Sequence, residues 1–182
     1  QMGRYYLPGD RLGVVLYQGT SWPGSNGWIE LYQLDNQANA IENRLQNQLH
    51  TCGTVPMPAC EMESNPEAGI NAAVNMLSTL GDPSNYQAII LISDGSVLCN
   101  PINSGCQNSR QNAAVLAASN AASLGIHVFT VGYNASYAQT SFLNSLHHRD
   151  GQRWPAMNPA DSTEFDTYMS LLGNNAPIAF VE

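Results

Sequence analysis

The chain has 182 residues, 43% hydrophobic and 11% charged, with 14 carboxylates against six Lys and Arg and a formal net charge of −8. That length and apolar content fit one domain with its own core and exclude a largely disordered polypeptide. The acidic balance repels phosphates and so excludes nucleic acid as a partner, and no apolar run approaches the roughly eighteen residues of a membrane span.

Arg11 to Gln18 are β-prone and follow a Pro8-Gly9-Asp10 turn. Trp28 to Leu34 partly alternate, which suits a half-exposed edge strand, and the turn-rich stretch Gly19 to Gly27 fits a hairpin-like connection between the two. Ala38, Ile41, Leu45 and Leu49 recur at helical spacing and predict an amphipathic helix over 38–49. Ser64-Asn65-Pro66-Glu67 predicts a helix start, with Ser64 as N-cap, Pro66 in the first turn and the carboxylate at N3. This helix runs to about Leu80, buries Ile70, Val74 and Leu77, and is stopped by Gly81-Asp82-Pro83.

Ala88 to Ile92 form a continuous apolar run, as expected of a strand covered on both faces. It leads into Ser93-Asp94-Gly95-Ser96, which puts polar groups at the carboxyl end of a strand. A long helix is predicted from Arg110 to Leu124, ended by Gly125. Then come a strand from His127 to Tyr133, a short helix from Thr140 to His148, a short strand from Gln152 to Trp154, a helix over 162–172 and an extended tail from Ala176 to Val181. Alternating strands and helices predict an α/β fold with a mostly parallel central sheet, one antiparallel edge strand and helices on both faces.

The four cysteines fall into two local pairs, Cys52 with Cys60 and Cys99 with Cys106, although four cysteines allow three connectivities. Disulfides in polar loops imply an oxidising compartment, hence an extracellular or cell-surface location. Zinc is the competing reading, but spacings of eight and seven residues miss the usual knuckle and no His completes one.

Four segments, in order, resemble the von Willebrand factor A-type domain. Gly9-Asp10-Arg11-Leu12-Gly13-Val14-Val15 is similar to the lead-in and second strand of that family. Ser64 to Ile70 resembles the segment opening its third helix, and Ile89 to Gly95 resembles its apolar strand ending in Ser/Thr-Asp-Gly. Ala121 to Gly132 is similar to its helix-to-strand passage, and Asp161 to Leu172 with the extended tail resembles the bacterial tight-adherence pilus-assembly branch. The resemblance implies a Rossmann-like single domain over residues 1–182. The family's opening strand with Asp-x-Ser-x-Ser and most of its first helix are missing from the segment, which starts at Gln1-Met2-Gly3 as a processed or truncated product would. That strand is central in the family's sheet. An upstream segment, a cleaved fragment or a neighbouring subunit is therefore expected to supply it, because unpaired buried backbone groups are costly.

The family's adhesion site holds magnesium or another divalent cation at the strand ends, and its positions correspond here to Ser64 and Asp94, with the other ligands expected upstream. The plainer readings are that Ser64 is only an N-cap and Asp94 only caps the turn after its strand. His147 and His148 beside Arg149 and Asp150 read as a solvated helix end, His50 as a helix-terminal charge and His127 as a packing residue. Asn134-Ala135-Ser136 fits a glycosylation sequon. Trp22, Trp28, Tyr5, Tyr6 and Tyr32 are dense near the amino end, where exposed members would mark a contact surface.

No G-x-S-x-G elbow, phosphate loop or dinucleotide fingerprint occurs, and no His is placed to serve Ser96 as a base. No catalytic residue is therefore expected. The sequence points to a cell-surface or pilus-associated adhesion module for a protein or surface ligand. The alternative is a structural assembly subunit completed by a foreign strand and binding no metal.

Overall fold

The structure is a computed structural model that describes residues 11–17, 28–35, 64–99, 103–149, 152–153, 156–159 and 162–173. The expected helix over 38–49, the Cys52–Cys60 pair, the loop over 19–27 and the tail after 173 lie outside the described residues.

β1 (Leu12–Tyr17) and β2 (Trp28–Asp35) pair antiparallel, with Leu12 opposite Asp35 and Tyr17 opposite Trp28. The register shifts around Val14, as a bulge does. α1 (Pro66–Leu80) packs across both strands. Its N-cap is Asn65, whose side chain accepts from the Ala68 amide at 3.4 Å, and not Ser64 as the sequence suggested. The reason is local: Pro66 occupies the first helical position, where a missing N–H costs nothing, so the cap falls on the residue just before it. Glu67 still lies in the first turn, where a carboxylate favours the helix dipole.

Gly69 lets α1 approach β1 closely. A Cβ there would lie 2.9 Å from the side chain of Tyr17, so any larger residue would push the helix off the strand. Ile70 is fully buried, and Val74 and Leu77 are partly buried against the same core. Arg11 reinforces this junction by donating to the Leu80 carbonyl at the far end of α1.

β3 (Ala88–Ser93) and β4 (His127–Gly132) pair parallel and in register, from Ala88 beside His127 to Ser93 beside Gly132. The period-two geometry of a strand sorts the residues of β3 onto two faces. Ile89 and Leu91 are buried in the larger core with Ile70 of α1, Ala114, Ala117, Ala118 and Ala121 of α2 (Ser104–Ser123), and Phe142, Leu143 and Leu146 of α3 (Tyr137–Leu146). Ala88 and Ile90 pack on the other side with Phe129, Val131 and Met157, joined by Phe165 and Tyr168 of α4 (Ser162–Gly173). Each buried aliphatic side chain contributes about 1.5–3 kcal/mol. The apolar run 88–92 therefore has helices on both faces, although Ile92 itself is 38% exposed.

α2 starts at Ser104, six residues earlier than the apolar pattern indicated, because Asn103 caps it by accepting from the Gly105 and Cys106 amides. Cys106 thus lies in the first turn of a helix, and its disulfide to Cys99 staples the loop leaving β3 to that turn. The buried alanines at 114, 117, 118 and 121 recur at helical spacing and give α2 a narrow face that packs closely on α1.

β5 (His148–Arg149) and β6 (Gln152–Arg153) form a short antiparallel hairpin that joins the edge of β4 through Val128 and His148. His147 and His148 are accordingly 0% and 6% exposed, which overturns the expectation of a solvated helix end. His147 Nδ1 lies 3.3 Å from both the amide and the hydroxyl of Thr130. The strand that follows α3 turns the pair inward. Among the described residues β3–β4 is the one parallel strand pair, and β1–β2, β4–β5 and β5–β6 are antiparallel. The mostly parallel sheet is not seen in them. β1–β2 and β3–β6 are separate sheets, and β1 and β3 are not hydrogen-bonded to each other.

Candidate interaction site at the strand ends

The carboxyl ends of β1, β3 and β4, with the amino ends of α1 and α3, carry the polar groups singled out in the sequence. β3 leaves its sheet through a chain of local hydrogen bonds. The Ser93 hydroxyl accepts from the Gly95 amide at 3.0 Å, and Asp94 Oδ1 accepts from the Ser96 amide at 2.8 Å. The turn-capping reading of Asp94 is therefore realised, and its second carboxylate oxygen is left outside that bond. Gly95 takes φ +76, a left-handed conformation, and a Cβ there would lie 2.8 Å from the Cβ of Gln139.

α3 is fixed against this turn by a residue that the motif reading did not flag. Ser136 and Gln139 form a capping box, with the Ser136 amide donating to Gln139 Oε1 at 2.6 Å and the Gln139 amide donating to Ser136 Oγ at 3.5 Å. Gln139 Nε2 then donates to the Ser96 hydroxyl at 2.5 Å. The partner of Ser96 is thus an amide, a group that takes no proton as a general base. The signal was present in the sequence as Ser136-x-x-Gln139.

Tyr17 reaches the site from the end of β1. Its hydroxyl hydrogen-bonds with the Ser93 side chain, linking two strands that share no backbone bonds. Burial pushes the phenol up from its ordinary value. The nearby Asp94 charge adds to this rise, and the Ser93 hydrogen bond offsets part of it.

Ser64 sits half-buried just before α1 and donates its amide to the Leu98 carbonyl at 3.1 Å. Arg110 of α2 donates to the carbonyls of both Leu98 and Ser64, at 2.5 and 3.4 Å. Ser64 and Asp94 therefore lie along one loop system, joined through Leu98 and held by Arg110 and the Cys99–Cys106 staple. As donors for a divalent cation the two fit in part, supplying one hydroxyl and one carboxylate where magnesium wants six oxygens and retains several waters. Among the described residues no three His, Cys, Asp or Glu side chains gather into a metal-binding group. A fuller shell would need donors from outside these residues.

Two large exposed side chains lie on the segment that joins β4 to α3. Tyr133 donates its amide to the Ser93 carbonyl at 2.9 Å while its side chain stays 65% exposed. Tyr137, the first residue of α3 and two before Gln139, is 92% exposed. Asn134 between them takes φ 56, a left-handed value that Asn tolerates better than most residues. Asp94 is itself exposed. Trp28 and Tyr32 fall in β2, and Trp22, Tyr5 and Tyr6 lie outside the described residues.

No family model and no curated protein matches the chain. Among solved structures it is similar to one described as the crystal structure of the SpRpn10 VWA domain, with a TM-score of 0.54 and 13% identity, covering 97% of this chain and 78% of that one. At that identity the likeness speaks to fold alone. The chain has a von Willebrand factor A-like α/β fold.

Proposed function

We propose that the chain is a binding module, not an enzyme, that engages a protein or surface ligand through the strand-end face around Asp94. The observation that carries this reading is an exposed carboxylate on a turn anchored by Gln139, Arg110 and a disulfide, with exposed Tyr133 and Tyr137 on the adjoining β4–α3 segment. Exposed side chains on a rigid support are what a contact surface requires, since little is then lost in ordering them on binding. A VWA-like neighbour fits a protein-interaction role by analogy of fold, which is a weaker support than the site itself. The Cys99–Cys106 bridge suits an oxidising, extracellular or cell-surface setting such as a pilus-associated adhesin. In the ion-dependent form of this reading, Ser64 and Asp94 take a divalent cation with ligands from elsewhere. Magnesium or manganese then raises the melting temperature of the chain, chelation lowers it, and Asp94→Ala abolishes the response.

A second reading is a structural assembly subunit completed by a strand from another segment. It is favoured by the edges of β1 and β3, which are not bonded to each other while Tyr17 bridges them by side chain. This reading predicts no metal response, and slow amide exchange along β3 only when the partner polypeptide is present.

A further inference from the structure

We propose that the outer face of α2 pairs antiparallel with the same face of a second copy of this chain, about a two-fold axis beside Leu116. The inference is independent of the strand-end face and rests on a different surface.

The first support is the order of residues on that face. The exposed Ser109, Asn112, Leu116, Asn120 and Ser123 stand at −7, −4, 0, +4 and +7 from Leu116, so they line one side of the helix and read the same in both directions. The half-buried Ala113 and Ser119, at −3 and +3, are matched in being small. An isologous contact needs a surface that complements itself, each residue meeting its mirror position across the axis. Here Leu116 meets the partner's Leu116, and Asn112 meets the partner's Asn120, where each amide both donates and accepts. Any sequence matches itself in a parallel pair, so the palindrome is particular to the antiparallel one. The second support is charge. Two chains of net charge −8 repel each other and approach at least cost where neither presents a carboxylate. No Asp, Glu, Lys or Arg occurs from Gln111 to His148. On α1, which packs beside α2, the exposed Asn71, Asn75, Ser78 and Thr79 are uncharged as well. The third is an apolar side chain on a firm support. Leu116 is 62% exposed, while Ala114, Ala117, Ala118 and Ala121 of the same helix are buried in the core. Pairing therefore covers the leucine without moving the core. The contact runs from Ser109 to Ser123, about 21 Å of helix. A single helix face of that length falls below the roughly 1,200 Å² of stable complexes, so the dimer is weak and concentration-dependent.

The test is sedimentation velocity of the full chain from about 10 µM to about 1 mM. A dimer is expected at the upper end, tightening from low to high salt as the shared negative charge is screened. Leu116→Glu puts two carboxylates at the axis and should weaken it roughly tenfold with the melting temperature unchanged. Leu116→Cys should cross-link to its own copy under mild oxidation, read on a non-reducing gel against the unsubstituted chain. Asn112→Cys should not, because its copy lies about 12 Å away along an antiparallel pair, beyond the reach of a disulfide. A chain that stays monomeric at the highest concentration, or a dimer that Leu116→Glu leaves intact, would overturn the inference. So would a dimer that salt weakens, since ion pairs would then hold it, or an Asn112→Cys chain that cross-links as readily as Leu116→Cys, the mark of a parallel pair.

Discussion

The two ends of the β3–β4 pair are built from the same parallel backbone and are held in different ways. At the amino end the chain closes on itself: His127 donates its amide to Gln87, its ring stacks on Tyr86 with centroids 4.3 Å apart, and Gln87 reaches the Asp82 carbonyl. At the carboxyl end the backbone is equally well bonded, and Asp94, Tyr133 and Tyr137 are exposed there as Asp82 and Tyr86 are at the amino end. The ends differ in what holds them: the carboxyl-end turn is tied to α3 through Gln139, and the loop beyond it to α2 through the Cys99–Cys106 bridge.

The largest effect should come from the middle, which both ends share. Leu91→Ala empties a 5%-exposed position between α1, α2 and α3 and should cost about 2–5 kcal/mol in urea unfolding, loosening both ends together. The next change acts at the carboxyl end alone. Replacing Cys99 and Cys106 by Ser opens a loop of sequence separation 7 and should cost about 2.5 kcal/mol. Amide exchange should then quicken at Ser64 and Leu98 and not at Gln87 and His127. A matched pair of glycines separates strain from space. Gly95→Ala must meet Gln139 at a φ of +76 and should cost about 2 kcal/mol, whereas Gly125→Ala, at φ +78 with nothing within 4 Å, should cost about 1 kcal/mol.

The smallest effect is one of pH. Because the Tyr17 phenol is raised in the folded state, its contribution is complete below the ordinary value near pH 10 and is lost as pH climbs through the raised one. Tyr17→Phe should therefore flatten the fall in melting temperature above about pH 10. An unchanged alkaline slope would mean that the Tyr17 phenol is not buried in the folded state.

Much of this frame was legible in local patterns. The apolar run at 88–92, the Pro66 start and the Gly81 stop of α1, and the strand at 127–132 all rest on neighbours in sequence. The start of α2 was misplaced because Ser104 to Ser109 lack an apolar stripe, so only the Asn103 cap marks it. The burial of His147 and His148 depends on pairing with Val128 and contact with Thr130, some twenty residues upstream, which no local window contains. The same holds at the site. Asp94 follows directly from an apolar strand ending in polar residues. The Tyr17–Ser93 link spans the two sheets, and Tyr133 and Tyr137 became part of the face only once α3 was seen to dock on Gly95.

Hydrogen exchange with and without magnesium tests the strand-end face most directly, because it reads both ends in one experiment. Protection confined to 64–68 and 93–98, with 82–87 and 126–127 unchanged, is the expected result. Protection centred on the amino end, or spread evenly over the chain, would contradict a binding face at Asp94.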